Sequence, residues 1–326
     1  MRIAIISDMH SSTGHLMEEA KLLIEWCEYY FLHWLVRKFE KDMKEANKNN
    51  KHVRETLAKM RGDIKNPTRY DLIICNGDVS QTGDEDELRG AYRLIREYFP
   101  DTPIVFVLGN HDTKSCIWIT DQWFENFSQE QLDLFRLIFE GQEPYGLRPL
   151  TSEIDLIWLM SDPFIFDWHT HQRDLSVKTC NLLHDLQEEQ LVFLVNALQQ
   201  AKAETKKIVL AIHDPAILLS KDLRNALRDY QGQILVTLTG HIHARWLMRL
   251  ICVRHPILWP QLLWHMRTYK ARLISSVWGI TLPHFLWMAG GGWSVLELDE
   301  REKRLISYYV NSDSLAGERL GEIREK

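Results

Sequence analysis

Cysteine is scarce in this chain, and the cysteines that occur form no motif. They are odd in number, lie far apart and include no Cys-x-x-Cys pair; the five are Cys27, Cys75, Cys116, Cys180 and Cys252. This pattern indicates neither a disulfide framework nor a zinc site built from thiolates. A reducing compartment fits it best, so we expect a cytoplasmic protein.

Long hydrophobic runs are also missing. The first apolar run, Ile3–Ile6, leads directly into Asp8 and is too short for the apolar region of a signal peptide. The run 22–36 is interrupted by Glu25, Glu28 and His33, and it is shorter than the roughly 20 residues that span a bilayer. We therefore expect neither export nor a membrane span.

An overall excess of positive charge is absent too, since the formal net charge is -6. This balance disfavours a protein whose whole surface binds nucleic acid, so we expect no nucleic-acid partner. The charge is uneven, however. Residues 230–296 contain no Asp or Glu, but they contain six basic residues and six of the twelve tryptophans.

Short apolar runs that end in turn-forming residues predict buried strands. The six runs are Ile3–Ile6, Leu72–Cys75, Ile104–Leu108, Leu156–Met160, Ile208–Ile212 and Ile234–Leu238. Helical patterns lie between them, notably over 86–99 and 187–202, which favours an alternating α/β fold. Residues 293–299 and 304–310 predict a β-hairpin, and the charged tail 313–326 is predicted to be a frayed or helical end.

Side chains able to bind metals follow five of these strands. The clusters are Asp8-Met9-His10, Gly77-Asp78, Gly109-Asn110-His111-Asp112, His213-Asp214 and Gly240-His241-Ile242-His243. Ligands bind outside the carboxyl ends of strands in open α/β sheets, so the five clusters can converge on one site. In each His-containing triplet, residues two apart point to the same side, which directs Met9 and Ile242 into the core.

The mixture of carboxylate and amide oxygens with imidazole nitrogens suits Mn, Fe or Zn. A carboxylate between two such ions can bridge them, and Asp78 is the best candidate for that bridge. The neighbouring glycines, Gly77, Gly109 and Gly240, are expected to let the backbone turn sharply and approach the metals.

These five motifs resemble those of the calcineurin-like metallophosphoesterase superfamily. The resemblance implies a four-layer αββα sandwich with helical insertions and two divalent metal ions. Asp8, His10, Asp78 and His243 would hold one metal, and Asp78, Asn110, His213 and His241 the other. The implied reaction is hydrolysis of phosphate esters by a metal-activated hydroxide, with His111 as the general acid and Asp112 orienting its ring. An alternative interpretation makes Asp112 a turn or N-cap carboxylate.

Within the superfamily, the stretch 77–83 and the helix before His213 resemble the cyclic-nucleotide phosphodiesterase-type branch. One departure is Asp214, where members of that branch often carry a second histidine. The ligand His213 is retained, so the metal site is expected to survive, whereas this departure argues against cyclic-nucleotide specificity.

We expect a single domain over 1–312, with a helical insertion at about 11–70 and a Trp- and Arg-rich insertion at about 245–288. Arg245 and Arg249 follow the last histidine motif and could bind a second phosphate of the substrate. Packing alone would also explain this segment. A DNA exonuclease, a hydrolase of lipid-linked (pyro)phosphate with peripheral membrane contact, and a non-catalytic metal-bearing scaffold remain alternatives to a phosphodiesterase or phosphatase.

Overall fold

The fold is built from two main β-sheets with helices between the strands. The computed structural model describes residues 1–9, 51, 53–63, 66–117, 122–123, 126–165, 175–214, 217, 220–230, 232–240, 280–283, 292–299, 304–311 and 317–324. The strands of the two sheets are β1 (Arg2–Ile6), β2 (Leu72–Asn76), β3 (Ile104–Val107), β4 (Gly146–Pro149), β5 (Ile154–Leu159), β6 (Lys207–Ile212), β7 (Ile234–Thr239), β8 (Ile280–Pro283), β9 (Gly292–Asp299), β10 (Arg304–Asn311) and β11 (Gly317–Arg324).

The first sheet has the order β11-β10-β9-β1-β2-β3, and the second has the order β8-β7-β6-β5-β4. β1, β2 and β3 are parallel, as are β5, β6, β7 and β8, while β4 and the three C-terminal strands pair antiparallel. Two-residue ladders also join Gly62–Asp63 to Asn66–Pro67 and Cys116–Ile117 to Gln122–Trp123.

Alternate residues of each strand face opposite layers of the molecule. Ile3 and Ile5 of β1 lie in a buried cluster with Leu156 of β5 and Val209 of β6, which packs the two sheets against each other. The intervening residues of β1 belong to a second cluster that includes side chains from the helices. Each sheet is therefore covered by the other sheet on one face and by helices on the other.

The helices are α1 (Glu85–Tyr98), α2 (Gln129–Ile138), α3 (Asp162–Ile165), α4 (Val177–Ala203) and α5 (Lys221–Arg228). The hydroxyls of Ser128, Ser176 and Ser220 cap α2, α4 and α5 by accepting bonds from backbone N–H groups in the first turn. α4 packs against β5 and β6. α1 contacts the first sheet through Tyr92, whose ring centroid lies 5.9 Å from that of Phe106.

This arrangement confirms the predicted α/β sandwich, the six strands, both helices and the C-terminal hairpin. The helix predicted over 187–202 is longer, because its capping serine lies well before the predicted start. The tail prediction is wrong in one respect. Residues Gly317–Arg324 form a strand rather than a frayed or helical end, since the edge of β10 offers them backbone partners.

Much of the two predicted insertions lies outside the described residues. Within the first, residues 53–61 are helical. Within the second, Ile280–Pro283 form β8 beside β7, a strand that the sequence did not predict. The domain boundaries stay a prediction. No helix in the described part of the chain is long and apolar enough to cross a membrane.

Candidate metal centre

Four of the seven predicted ligands lie just beyond the carboxyl ends of parallel strands. Asp8 follows β1, Asp78 follows β2, Asn110 follows β3 and His213 follows β6. Their exposed fractions are 0%, 1%, 2% and 0%, respectively. Polar side chains so deeply buried require compensating partners, and both sheets supply them at the same end of the sandwich.

Asp78 and His213 are in direct contact, with 3.0 Å between Asp78 Oδ2 and His213 Nε2. The other ring nitrogen, Nδ1, lies 2.8 Å from the carbonyl oxygen of Asn76. A carbonyl can only accept, so Nδ1 carries a proton and Nε2 faces the carboxylate. Ligand atoms of Asp8, Asp78 and His213 all lie within 4.8 Å of one another.

The charges at this cluster favour a bound cation. Burial alone would lower the pKa of His213, but the carboxylates of Asp78 and Asp8 outweigh it and raise that pKa to about 10. Two buried carboxylates beside one imidazole need positive charge between them, supplied either by a proton on His213 or by a metal ion. The oxygen and nitrogen donors of this set suit Mn, Fe or Zn.

The backbone at both aspartates adopts a left-handed conformation, with φ of 56° at Asp8 and 53° at Asp78. Aspartate tolerates this region better than most residues, but it still stores strain. The backbone N–H of Asp8 donates to the carbonyl of Gly77 at 2.9 Å, which links the two strand ends. Ser7 Oγ lies 2.6 Å from Asp8 Oδ2 and can donate to it.

The three motif glycines are required by close contacts with the ligands. A Cβ on Gly77 would lie 2.2 Å from His213 Nδ1, one on Gly109 would lie 2.1 Å from Asp78 Oδ1, and one on Gly240 would lie 2.9 Å from Asp8 Oδ2. Gly77 also has a positive φ of 89°. The predicted sharp turn is therefore found at Gly77, and all three glycines lie against predicted ligands, while their approach to the metals stays a prediction.

The loop after β3 rests on Asp78. The backbone N–H of His111 donates to Asp78 Oδ1 at 3.0 Å, which brings this loop onto a predicted metal ligand. The His111 side chain is half-buried, and its Nδ1 donates to the carbonyl of Gln81 at 2.6 Å. Nε2 is then the ring nitrogen that could exchange a proton with a substrate.

The hydrogen bonds of Asp112 match its alternative interpretation as a turn carboxylate. Its Oδ1 accepts from the N–H and hydroxyl of Ser80, and its Oδ2 accepts from the N–H of Gly109. Burial and the charge of Asp78 raise the pKa of Asp112 to about 6. Asp112 joins the two motif loops, whereas the group that contacts Nδ1 of His111 is the backbone carbonyl of Gln81.

Asp162 is a buried carboxyl near this centre that the sequence did not single out. It opens α3 directly after β5, and its Oδ2 accepts from the hydroxyl of Thr113 at 2.5 Å. Burial raises the pKa of Asp162 to about 7. The strand-end rule that found the other clusters would have found it, because Ser161-Asp162 also follows an apolar run.

The remaining predicted site residues lie outside the described part of the chain. They are the ligands His10, His241 and His243 and the substrate residues Arg245 and Arg249. The residues directly before His10 and His241 are described. Met9 is fully buried in the core, as predicted, and Gly240 lies against Ser7 and Asp8.

Comparison with known proteins identifies the family of this chain. Residues 1–245 match the family model described as calcineurin-like phosphoesterase. No curated protein matches the chain. Among solved structures, a purple acid phosphatase from yellow lupin (Lupinus luteus) seeds is similar at 10% identity with a TM-score of 0.51. A 5'-nucleotidase precursor from Thermus thermophilus is similar at 12% identity with a TM-score of 0.38.

Each of the two structural matches covers 99% of this chain, but the chain spans only 53% of the lupin structure and 53% of the Thermus structure. The lupin enzyme supports the fold. The family match covers most of the chain, so the protein belongs to the calcineurin-like phosphoesterase family. The narrower resemblance to the cyclic-nucleotide branch stays a prediction.

Proposed function

We propose that this protein hydrolyses phosphate esters at a centre of two divalent metal ions. The observation that carries the proposal is the buried cluster of Asp8, Asp78 and His213, whose ligand atoms lie within 4.8 Å of one another. Asn110 would be the fourth described ligand, and His10, His241 and His243 would complete the set of seven.

When bound, the two metal ions would activate a water molecule for attack and draw negative charge from the phosphate oxygens. The chain's own residues would hold the reactants. Asp78 would help to hold both ions, and the backbone N–H of His111, which donates to its Oδ1, would fix its carboxylate beside His213. Nδ1–H of His213 is held by the Asn76 carbonyl, which aims Nε2 at the centre.

His111 would be the general acid. As water attacks phosphorus, the bond from phosphorus to the leaving oxygen breaks, and His111 in its imidazolium form passes the proton on Nε2 to that oxygen, which leaves a neutral ring with its proton on Nδ1. The contact between Nδ1 and the Gln81 carbonyl keeps the ring in the orientation that this transfer needs. Phosphate esters with poor leaving groups should depend on His111 most, because their leaving oxygen needs the proton most.

An activity screen tests the proposal. The purified protein, supplied with Mn, would be assayed against a chromogenic phosphodiester, a phosphomonoester, cyclic nucleotides, single-stranded DNA and a lipid pyrophosphate. Metal-dependent turnover of a phosphate ester is expected, and it should disappear in Asp78→Ala. Preference for the DNA or the lipid substrate would select one of the two alternative hydrolases. Two bound metals without turnover of any substrate would favour the scaffold.

The role of Arg245 and Arg249 stays a separate prediction. If they bind a second phosphate, the Arg245→Ala, Arg249→Ala double variant should raise KM for substrates with two phosphates. Flotation with anionic liposomes would test the alternative of peripheral membrane contact. No flotation, together with unchanged kinetics, would leave the segment a packing element.

A further inference from the structure

Glu87 is a buried carboxylate in the first turn of α1, directly after two exposed acidic residues. Its exposed fraction is 1%, whereas Glu85 and Asp86 are exposed. Removing a charged carboxylate from water is unfavourable unless donors surround it. Two backbone donors point at Glu87 Oε2, the N–H of Gln81 at 3.0 Å and the N–H of Thr82 at 2.8 Å. The hydroxyl of Thr82 lies 2.9 Å from the same oxygen and equally close to Asp84 Oδ2.

The peptide group between Gln81 and Thr82 connects Glu87 to His111. The N–H of this group is the Thr82 N–H that donates to Glu87, and its C=O is the Gln81 carbonyl that contacts Nδ1 of His111. A peptide group is planar and resonance-stabilised, with its N–H and C=O on opposite sides. A bond to a carboxylate at the N–H end fixes this plane and strengthens the carbonyl as an acceptor.

We propose that Glu87 is a positioning residue for His111, acting through the Gln81–Thr82 peptide. It holds the carbonyl that keeps one proton on Nδ1, so that Nε2, which carries the second proton of the imidazolium, is directed to the substrate. The arrangement resembles the pairing of a carboxylate with an active histidine, except that one peptide group stands between them. The kinetic part of this inference rests on the proposed function, whereas the tautomer of His111 does not.

A capping role is the competing explanation. Glu87 is the third residue of α1, where a carboxylate commonly reaches back to the N-cap residue, here Asp84. Capping alone would make Glu87 matter for stability and not for His111. Gln81 and Thr82, which donate to Glu87, lie three and two residues before the N-cap, in the loop that His111 contacts.

The test combines a double-mutant cycle with histidine NMR. Glu87→Gln keeps the size of the side chain but removes its charge, and Asp86→Asn is the matched control on the exposed side of the same turn. On an alkyl phosphoester we expect Glu87→Gln to lower kcat about 10-fold at nearly unchanged KM, as is typical for groups that orient an active residue. On a nitrophenyl ester, whose leaving group needs no proton, we expect less than about a twofold change.

In the His111→Ala background, Glu87→Gln should have no further effect on kcat. An equal loss in both backgrounds would show that Glu87 acts by capping and would overturn the inference. If His111→Ala left kcat unchanged on both esters, the acid role in the proposed function would fail instead, and NMR alone would decide the positioning role.

Nitrogen-15 spectra of the zinc-loaded protein report the ring directly. We expect Nδ1 of His111 to be protonated in the native protein and in Asp86→Asn, and its signal to shift toward a tautomer mixture in Glu87→Gln. Glu87→Asp, which keeps the charge on a shorter side chain, serves if the glutamine variant does not fold. An unchanged His111 tautomer in both Glu87 variants would contradict the proposal.

Discussion

Gly109 shows how tightly single residues are fitted around the centre. A Cβ there would lie 2.1 Å from Asp78 Oδ1 and 2.3 Å from the backbone nitrogen of Asp78. Gly109→Ala should therefore displace Asp78, weaken metal binding and destabilise the fold by about 1–3 kcal/mol, as overpacked sites do. Metal titration and urea unfolding measure the two effects.

The control for this prediction is Gly90→Ala in α1, where an added Cβ would meet nothing within 4 Å. It should keep metal binding and stabilise the helix by about 0.5–1 kcal/mol, because alanine loses less backbone entropy on folding than glycine. Native metal affinity in Gly109→Ala would show that the contact with Asp78 is not tight.

Asp162 predicts a dependence of stability on pH. Burial raises its pKa from the ordinary 3.8 to about 7, so the folded state holds a proton that the unfolded state has already lost. Its contribution to the free energy of unfolding is full below about pH 4 and declines by up to about 1.4 kcal/mol per pH unit as pH rises towards 7. Above that pH the contribution stays low. The free energies of unfolding of Asp162→Asn and of the native protein should be compared in urea at pH 5 and pH 8. The difference between them should shift in favour of Asp162→Asn at the higher pH. An equal difference at both values would refute this.

At the residue level, the sequence predicted the ligand types but not the backbone that holds them. The alternation in Asp8-Met9-His10 correctly directed Met9 into the core. The positive φ of Asp8 and Asp78 could not be predicted, because most aspartates adopt other conformations and nothing local in the sequence selects this one. The role of Asp112 was left with two interpretations, and hydrogen bonds to Ser80 and Gly109 favour the turn carboxylate.

At the level of elements, α2 holds two of the motif loops together. The buried Gln131 side chain donates from Nε2 to the carbonyls of Gly83 at 2.7 Å and Asp112 at 2.8 Å. Gln131→Leu would leave both carbonyls without these donors, so we expect a loss of about 2–4 kcal/mol in urea unfolding. Gln129→Leu, which removes only a bond to the exposed Asp133, should change stability by less than about 0.5 kcal/mol. Equal losses of stability in the two variants would contradict this role of Gln131.

The elements that were predicted well are the central strands, because burial on both faces gives them short, continuous apolar runs. β4 (Gly146–Pro149) was not predicted, since it has a glycine and a proline within four residues and lies at a sheet edge. β11 was not predicted either, because its sequence is charged and its pairing depends on β10. Edge strands carry little local signal of their own.

At the scale of the whole molecule, the centre is assembled from distant parts of the chain. His213 bonds to Asn76 across 137 positions, and both sheets contribute ligands at the same end. The order of the motifs indicated convergence, but only the sandwich shows which atoms meet. A metal centre built this way should form only when both sheets are folded, so metal binding reports on the whole fold.

Metal analysis of the protein purified without chelator and supplied with Mn tests this account most directly. We predict about two metal ions per chain, substantially fewer in Asp78→Ala, and an unchanged content in Asp101→Ala, which alters an exposed aspartate. The Asp78 variant should still show a cooperative unfolding transition, so that the loss can be assigned to the ligand. A metal content near zero in the native protein, or an unchanged content in Asp78→Ala, would contradict the account.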